Sequence, residues 1–330
     1  MLDEVIIRPA EENDRDVIIK LQNEVFGKQQ RSSVMRDFHS WDWKYNRNPF
    51  GKSQLTVAEY KHEIIGVDNL WPWELRCRGE TLKALQPCDT TVSAQFRGVG
   101  IFKKMRLFGI EQAAGRNVKL LFNYPNDKRL RGTLSLGSVY LGRINWWVKI
   151  LNPVKILKDL LTENKSAPFE IPDEFEINYN LLEIVSEKSF SYDKYLKINR
   201  VEGFHKWRFS DRPNRTYGMV HYSKKGSDAV AIFTVNQKGN SREMVVVDML
   251  GYTGATKDVF KLVKNAALRV GADFIAIMDN PEFNTKELWK YGYLKKQLKN
   301  MVVLPLDLRL EQIAASYSNW SLMAAMHDSI

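Results

Sequence analysis

The chain has 330 residues, more than one ordinary hydrophobic core organises and enough for two. A hydrophobic content of 44% with 27% charged residues excludes a disordered chain and describes a globular one. The formal charge of +10 calls for an anionic partner. Its lysines and arginines are interspersed with acids, however, and no zinc-finger, KH or RNP-type motif is present, so a phosphate-bearing cofactor or substrate is favoured over nucleic acid.

The opening segment MLDEVIIRPAEEND is acidic and then β-like, unlike a secretory or transit signal, and no apolar run approaches the roughly 18 residues of a membrane span. Cys77 and Cys88 offer no disulfide framework and no metal-ligand spacing, which predicts reduced thiols and a cytoplasmic protein without a metal.

In chain order, the pattern predicts a strand over Val5 to Ala10 and a helix from about Asp14 to Phe26. Strands follow around Leu55 to Glu59, at Ile64 to Gly66 beyond a turn at Lys61-His62, and over Leu82 to Val92. A helix over Gly100 to Ala114 is expected to stop at Gly115, before a buried-type strand at Val118 to Phe122. The second part repeats this order. Strands at Ala229 to Val235 and Met244 to Leu250 precede a helix at Thr256 to Val270, stopped by Gly271, and a strand at Asp273 to Ile277. A short helix then ends in glycine in each part, at Leu136-Gly137 and at Tyr291-Gly292.

Two heptapeptides anchor the repeat, WKYNRNP at 43–49 and WRFSDRP at 207–213, both W-[KR]-[YF]-x-x-x-P. A polar stretch from Leu161 to Glu174 with two prolines reads as the linker. The division predicted is an N-terminal domain at 1–155, a linker at 156–178 and a divergent second copy at 179–330. Each copy is expected to be an α+β unit, a mostly antiparallel mixed sheet with one central parallel β-α-β crossover flanked by helices. The recurrence of Trp43 and Trp207 at equal positions argues for core packing over ligand stacking.

The stretch AQFRGVGIFKKM at 94–105 joins a β-rich run to a helical one through two glycines. A helix start leaves backbone N–H groups unpaired and its dipole favours negative charge, while glycine lets a phosphate approach the main chain. The spacing is neither the dinucleotide G-x-G-x-x-G nor a Walker loop. With the run DTTV at 89–92 before it, Lys103, Lys104 and Arg106 after it, and LFNYPN at 121–126 beyond the helix, the chain resembles the GNAT superfamily of acyl-CoA-dependent N-acyltransferases over most of residues 4–150. That family's signature is [QR]-x-x-G-x-[GA]. Gln95 to Gly100 satisfies it formally. The register opening at Arg97 suits the surroundings better, and leaves Phe102 where the family has glycine or alanine.

The resemblance implies two tandem GNAT-like domains. It places the pyrophosphate of acetyl-CoA or another acyl-CoA on Arg97, Gly98, Val99, Gly100, Ile101 and Phe102. The pantetheine arm is implied along Thr90, Thr91 and Val92, with Asn123 and Asn126 beside the cofactor. An ungapped alignment of the copies on Gly115 and Gly271 sets Thr253 opposite Arg97, Gly254 opposite Gly98 and Asp258 opposite Phe102. That alignment predicts no CoA site in the second copy.

The implied reaction is attack of a small-molecule amine on the thioester, with an amino sugar as the acceptor class suggested by analogy. Asp89 is the leading candidate base and Glu59 a weaker one; of the histidines, His39, beside Trp41 and Trp43, is the one placed near the acceptor pocket. The segment 126–137 lacks the tyrosine with which the family protonates the departing thiolate, leaving Tyr124 and Tyr140 as candidates. Two alternatives stay open: a CoA-binding scaffold without turnover, and a transferase of the related tandem fold using aminoacyl-tRNA.

Overall fold

The computed structural model describes residues 4–27, 36–159, 166–188 and 194–327. In the first half, β1 (Ile6–Pro9), α1 (Arg15–Gly27) and α2 (Phe38–Trp41) lead into β2 (Gln54–Tyr60), β3 (Glu63–Cys77) and β4 (Glu80–Val92). Helix α3 (Ile101–Ala114), β5 (Leu120–Asn123), α4 (Asp127–Leu134), β6 (Val139–Ile150) and α5 (Pro153–Asp159) follow. The predicted linker contributes β7 (Ser166–Pro168), paired to the far end of β10. The second half comprises α6 (Tyr179–Lys188), β8 (Lys197–Ile198), β9 (Gly218–Lys224), β10 (Ser227–Lys238) and β11 (Ser241–Gly251). It continues with α7 (Thr256–Arg269), β12 (Phe274–Met278), β13 (Leu294–Pro305) and α8 (Glu311–Ala314).

Among the described residues these strands form one continuous sheet in the order β1-β2-β3-β4-β5-β13-β6-β12-β11-β10, with β7 and β9 on β10 and β8 on β3. Only β4 with β5 and β11 with β12 are parallel among these strand pairs, one crossover per half, as expected. What the sequence order hides is an exchange. Strand β13 pairs with β5 of the first half, and β6 pairs with β12 of the second. Division of the chain at 155 is therefore a division in sequence, whereas in space each half is closed by the other's last long strand. The β6–β13 ladder, from Leu294–Val148 to Val303–Val139, joins the halves.

Both faces of the β10–β11 hairpin are covered, which explains its near-continuous apolar run. Val230, Ile232, Val245 and Val247 face the central core, while Ala231, Phe233, Val235, Met244 and Val246 face the cluster under α7. The central core gathers Trp43, Trp71, Trp73, Phe122, Phe204, Trp207 and Trp320 from both halves. Its floor is the C-terminal stretch Leu322 to Met326, at most 5% exposed. Both W-[KR]-[YF] repeats fold as one π-helical turn, over Asp42–Asn46 and Lys206–Ser210.

One helix stop differs from expectation. Gly115 stays right-handed at φ −65°, and the chain leaves α3 through left-handed Asn117 at φ +59°. Asparagine tolerates that region because its side chain is short and polar. Gly271, at φ +64°, is the left-handed stop of α7.

Candidate functional site

The loop between β4 and α3 begins with a 3-10 turn over Ala94–Phe96, pinned by Phe96 in an apolar cluster with Ile65, Ile101 and Met105. Gln95 belongs to that exposed turn. Arg97 follows it, and its Nε–H donates to the Val92 carbonyl (3.0 Å), closing the loop's base. Gly98 and Gly100 both have left-handed backbones, φ +82° and +87°, and Gly100 caps α3. An ideal Cβ on either would meet no atom within 4 Å, so backbone conformation and not crowding selects glycine here. The helical ladder starts with Lys104 N–H to Gly100 O (3.1 Å), so the N–H groups just before it open off the helix end. Residues 97–100 and Lys103 and Lys104 are exposed around that opening. Phe102 turns toward α4: a Cβ on Gly132 would meet its ring at 3.5 Å, and the Arg106 guanidinium lies 5.3 Å from the ring centre.

Arg106 differs from the anion-binding role its position suggests. It points inward and grips Asp68 with two bonds of 2.6 Å, both side chains buried. Asp68 sits opposite a β-bulge in β4, where the register passes from Asn69–Cys88 to Val67–Thr91. Asp89 is the bulge's left-handed residue, φ +51°, a conformation that costs a non-glycine residue about 1–2 kcal/mol. The Thr90 hydroxyl donates to Asp68 (2.7 Å), and Arg129 of α4 donates to the Thr90 carbonyl (2.9 Å). The bulge thus ties α3, through Arg106, to α4, through Arg129. Burial pulls the Arg129 pKa down, and the nearby charges of Arg106 and Arg97 pull it further while Asp68 opposes. Three guanidinium groups thus hold this stretch of β4 beside the loop, Arg97 at the Val92 carbonyl, Arg129 at the Thr90 carbonyl and Arg106 at Asp68.

Asp89 is held otherwise than a base requires. Its carboxylate accepts from Arg36 (2.8 Å), Lys44 (2.5 Å) and the Tyr45 hydroxyl (2.9 Å). Burial would raise its pKa, but the Lys44 and Arg36 charges outweigh burial and hold it well below the usual carboxylate range. A carboxylate stabilised this far is a weak proton acceptor. Tyr45 is pushed the other way by burial and by the Asp89 charge, so its proton stays on. The partners came from positions that sequence reasoning passed over. Lys44 and Tyr45 are the [KR] and [YF] positions of the first repeat, whose pattern by itself assigns them no role.

Strands β4 and β5 pair only at Ala84–Leu120 and Leu85–Leu121 before diverging. Pro87, with no N–H to offer a neighbour, lies just past the last pair. A small cavity lined by Pro87, Arg106, Asn123 and Thr133 occupies the opening. Asn123 accepts from its neighbour's Tyr124 N–H (2.7 Å), and Asn126 caps α4 by accepting from Arg129 N–H (3.0 Å). Both thus have local structural work.

Tyr124 is buried, its ring stacked on His327 at 5.0 Å. Tyr140 is 43% exposed and donates to Asn300 Oδ1 (3.1 Å) on β13. The exchanged strand separates Tyr140 from β5. Glu59 is engaged by Arg8 (2.9 Å), and His39 is exposed on α2.

In the second half, 3-10 turn Thr253–Ala255 runs directly into α7 at Thr256. Strand ends and turns match with Ala94 to Phe96 facing Thr253 to Ala255, so residues 97–100 have no counterpart. The ungapped alignment, which paired Gly98 with Gly254, is corrected by this four-residue gap. Bulge and charge pair persist nonetheless: Arg200 grips Asp248 (2.5 and 3.1 Å) where Arg36 holds Asp89. Cys77 and Cys88 are both buried thiols, and no helix among the described residues is long and apolar enough to cross a membrane.

Residues 6–133 match the sequence model of the acetyltransferase (GNAT) domain family. That match lies within the first half, and the likeness of fold extends over nearly the whole chain in solved structures. A probable N-acyltransferase from Enterococcus faecalis superposes with TM-score 0.66 at 9% identity, covering 94% of this chain and 74% of its own. A GCN5-related N-acetyltransferase from Anabaena variabilis gives 0.64 at 12%, covering 94% and 75%. Saccharomyces cerevisiae N-myristoyltransferase with bound myristoyl-CoA gives 0.57 at 10%, covering 92% and 80%. No curated protein sequence matches the chain.

Proposed function

We propose that the chain is an acyl-CoA-dependent N-acyltransferase with one cofactor site, in its first half, acting on a small-molecule amine. The observation that carries this reading is the left-handed Gly98–Gly100 turn opening off α3 beside three guanidinium groups and the diverging β4–β5 edge. In this reading a pyrophosphate lies against the amides of 98–102 with Arg97, Lys103 and Lys104 around it. The pantetheine arm follows Thr90 to Val92 into the opening, and the bulge at 89–91 presents backbone N–H groups to the thioester oxygen as the tetrahedral intermediate forms. Asp89, fixed in its charged form, positions Lys44, Arg36 and Tyr45 at the acceptor side and leaves the proton to another group. The acyl group proposed is acetyl, and amino sugars are the acceptor class to test first.

The locked Asp89 and the absence of tyrosine from 126–137 favour a second reading, a CoA-binding protein without turnover. Both readings predict thermal stabilisation of the full chain by acetyl-CoA and CoA, since a ligand that binds only the folded state stabilises it according to its concentration over Kd. The transferase alone predicts thiol release against a panel of amines. If no CoA species stabilises the chain, both readings fail.

A further inference from the structure

A second cavity, of about 360 Å3, lies in the other half at the end of β11. Its walls are α6, β8, the β9–β10 turn and the segment after β12, with Arg76 of β3 at the edge. It occupies the place that the bulge and loop occupy in the first half, since Met249 to Gly251 of its lining match Thr90 to Val92. It lacks the amide cradle, because the four residues that would form one are missing.

Two of its cations are paired. Lys197 bonds Glu282 at 2.8 Å, and Arg200 is held by the fully buried Asp248. Asp228 faces His221 at 2.9 Å. A phosphate site needs surplus cations, and Lys197 and Arg200 are each neutralised by a carboxylate, leaving Arg76 at the edge as the further cation of the lining. What the matched pairs leave is a fixed array of donors and acceptors, with hydroxyls of Ser186, Ser227 and Ser321 set among them; Ser321 itself donates to Glu282. Tyr252 adds an aromatic face, 56% exposed.

Two glycines build this shape. A Cβ on Gly254 would meet the Tyr252 ring at 2.5 Å, so the ring lies folded across that residue. A Cβ on Gly251 would meet the Asp228 carbonyl at 2.2 Å, so glycine lets the β9–β10 turn close the wall. Paired charges that both donate and accept, hydroxyls and an aromatic face complement a ligand whose hydroxyl groups do both and whose C–H face is apolar.

We propose that this cavity binds a neutral polyhydroxylated ligand, a single sugar unit, without performing transfer on it. The proposal is independent of CoA binding in the first half and survives its failure. The test is saturation-transfer NMR on the full chain with D-glucose, D-galactose and N-acetyl-D-glucosamine, each separately and in competition with inorganic phosphate.

The expected result is a signal from at least one sugar, unchanged by phosphate and by Gly100→Glu. The same signal should be lost in Ser227→Trp, which fills the cavity from its half-buried rim, and in Tyr252→Ala, an exposed change that leaves the core alone. Glu282→Gln, which removes an acceptor, should weaken it. The proposal is overturned if none of the three sugars gives a signal. Persistence of the signal in Tyr252→Ala and Ser227→Trp, or displacement of the sugar by phosphate, overturns it equally.

Discussion

Trp43 and Trp207 hold each other by a reciprocal pair of hydrogen bonds. The Trp43 indole N–H donates to the Trp207 carbonyl at 2.7 Å, and the Trp207 indole N–H donates to the Trp43 carbonyl at 2.9 Å. Their rings stack at 5.3 Å with 17° between planes. Two equal sequence positions thus meet across the approximate twofold relation of the halves. Trp43→Phe keeps most of the ring but leaves a buried carbonyl without its donor, which costs about 1–3 kcal/mol. Urea unfolding should show that loss, and the double Trp43→Phe/Trp207→Phe change should depart from the sum of the singles, because the two bonds share one interface. Strict additivity would show that the pair does not act as a unit.

Arg106 and Asp68 form the buried link between α3 and the bulge. Arg106→Met leaves an uncompensated carboxylate at 1% exposure and is expected to destabilise by about 3–5 kcal/mol, whereas Asp68→Leu with Arg106→Met should recover a large part of it. Equilibrium denaturation of the three variants checks this. A double variant as unstable as the single one would mean that the pair's hydrogen bonds to Thr90, and not its charge, carry the link.

Much of this architecture was legible in the sequence, and the reasons differ by element. The β10 and β11 runs and α7 were found nearly to their ends because apolar residues at strand or helix period leave few alternatives. The loop at 97–100 was found because two left-handed positions demand glycine. Three things were hidden. Exchange of β6 and β13 leaves no local mark, since either strand offers the same apolar face to either neighbour. Burial of Arg106 depends on Asp68, 38 residues away. The four-residue gap before α7 was masked by Gly254, which matches a loop glycine in type while serving to admit the Tyr252 ring.

Gly98→Ala and Gly100→Ala each force a Cβ into left-handed backbone, at about 1–2 kcal/mol per position. Both should weaken CoA binding by tilting the amides, and Gly100→Glu should abolish it by adding a like charge at the helix start. Lys257→Glu places the same charge in the first turn of α7, and should leave CoA binding as it was. Calorimetric titration of the four variants with CoA reads this directly. Equal loss in Lys257→Glu would move the cofactor site to the second half or divide it between the two.

Asp89 gives a prediction about pH. Its folded-state pKa lies below the unfolded value near 3.8, so the folded chain binds fewer protons there. Stability from its pairs is complete above that value and is lost as pH falls through the lower folded one. Across about pH 5 to 9 the group stays charged, so any acidic limb in the rate profile belongs to another residue. Asp89→Asn should therefore lower activity with little change in the limb's midpoint, and should flatten the acid loss of stability. Loss of the limb itself in Asp89→Asn would restore Asp89 as the base.

Arg208 ties the C-terminal stretch to the second repeat. Fully buried, it donates to the Ala325 carbonyl (3.0 Å), the His327 carbonyl (3.2 Å) and the Tyr217 hydroxyl (3.0 Å). Burial lowers its pKa to about 10, still far above neutrality, so it remains a cation among these acceptors. Lys44, its counterpart in the first repeat, goes to Asp89 instead, so one repeat serves the candidate site and the other the core. Arg208→Met roughly keeps the volume and strands the Ala325 and His327 carbonyls, at about 1–3 kcal/mol for each left buried and unmatched, whereas the Tyr217 hydroxyl keeps its bond from Arg212 (2.9 Å). Hydrogen exchange should then show residues 322–327 opening ahead of the β10–β11 hairpin. Because Gln86 of β4 donates to the Met326 carbonyl at 3.0 Å, that opening should also loosen the β4 edge beside the proposed pantetheine path. CoA affinity should fall with it, though Arg208 lies in the other half. Unchanged affinity alongside faster exchange would separate the C-terminal stretch from the site.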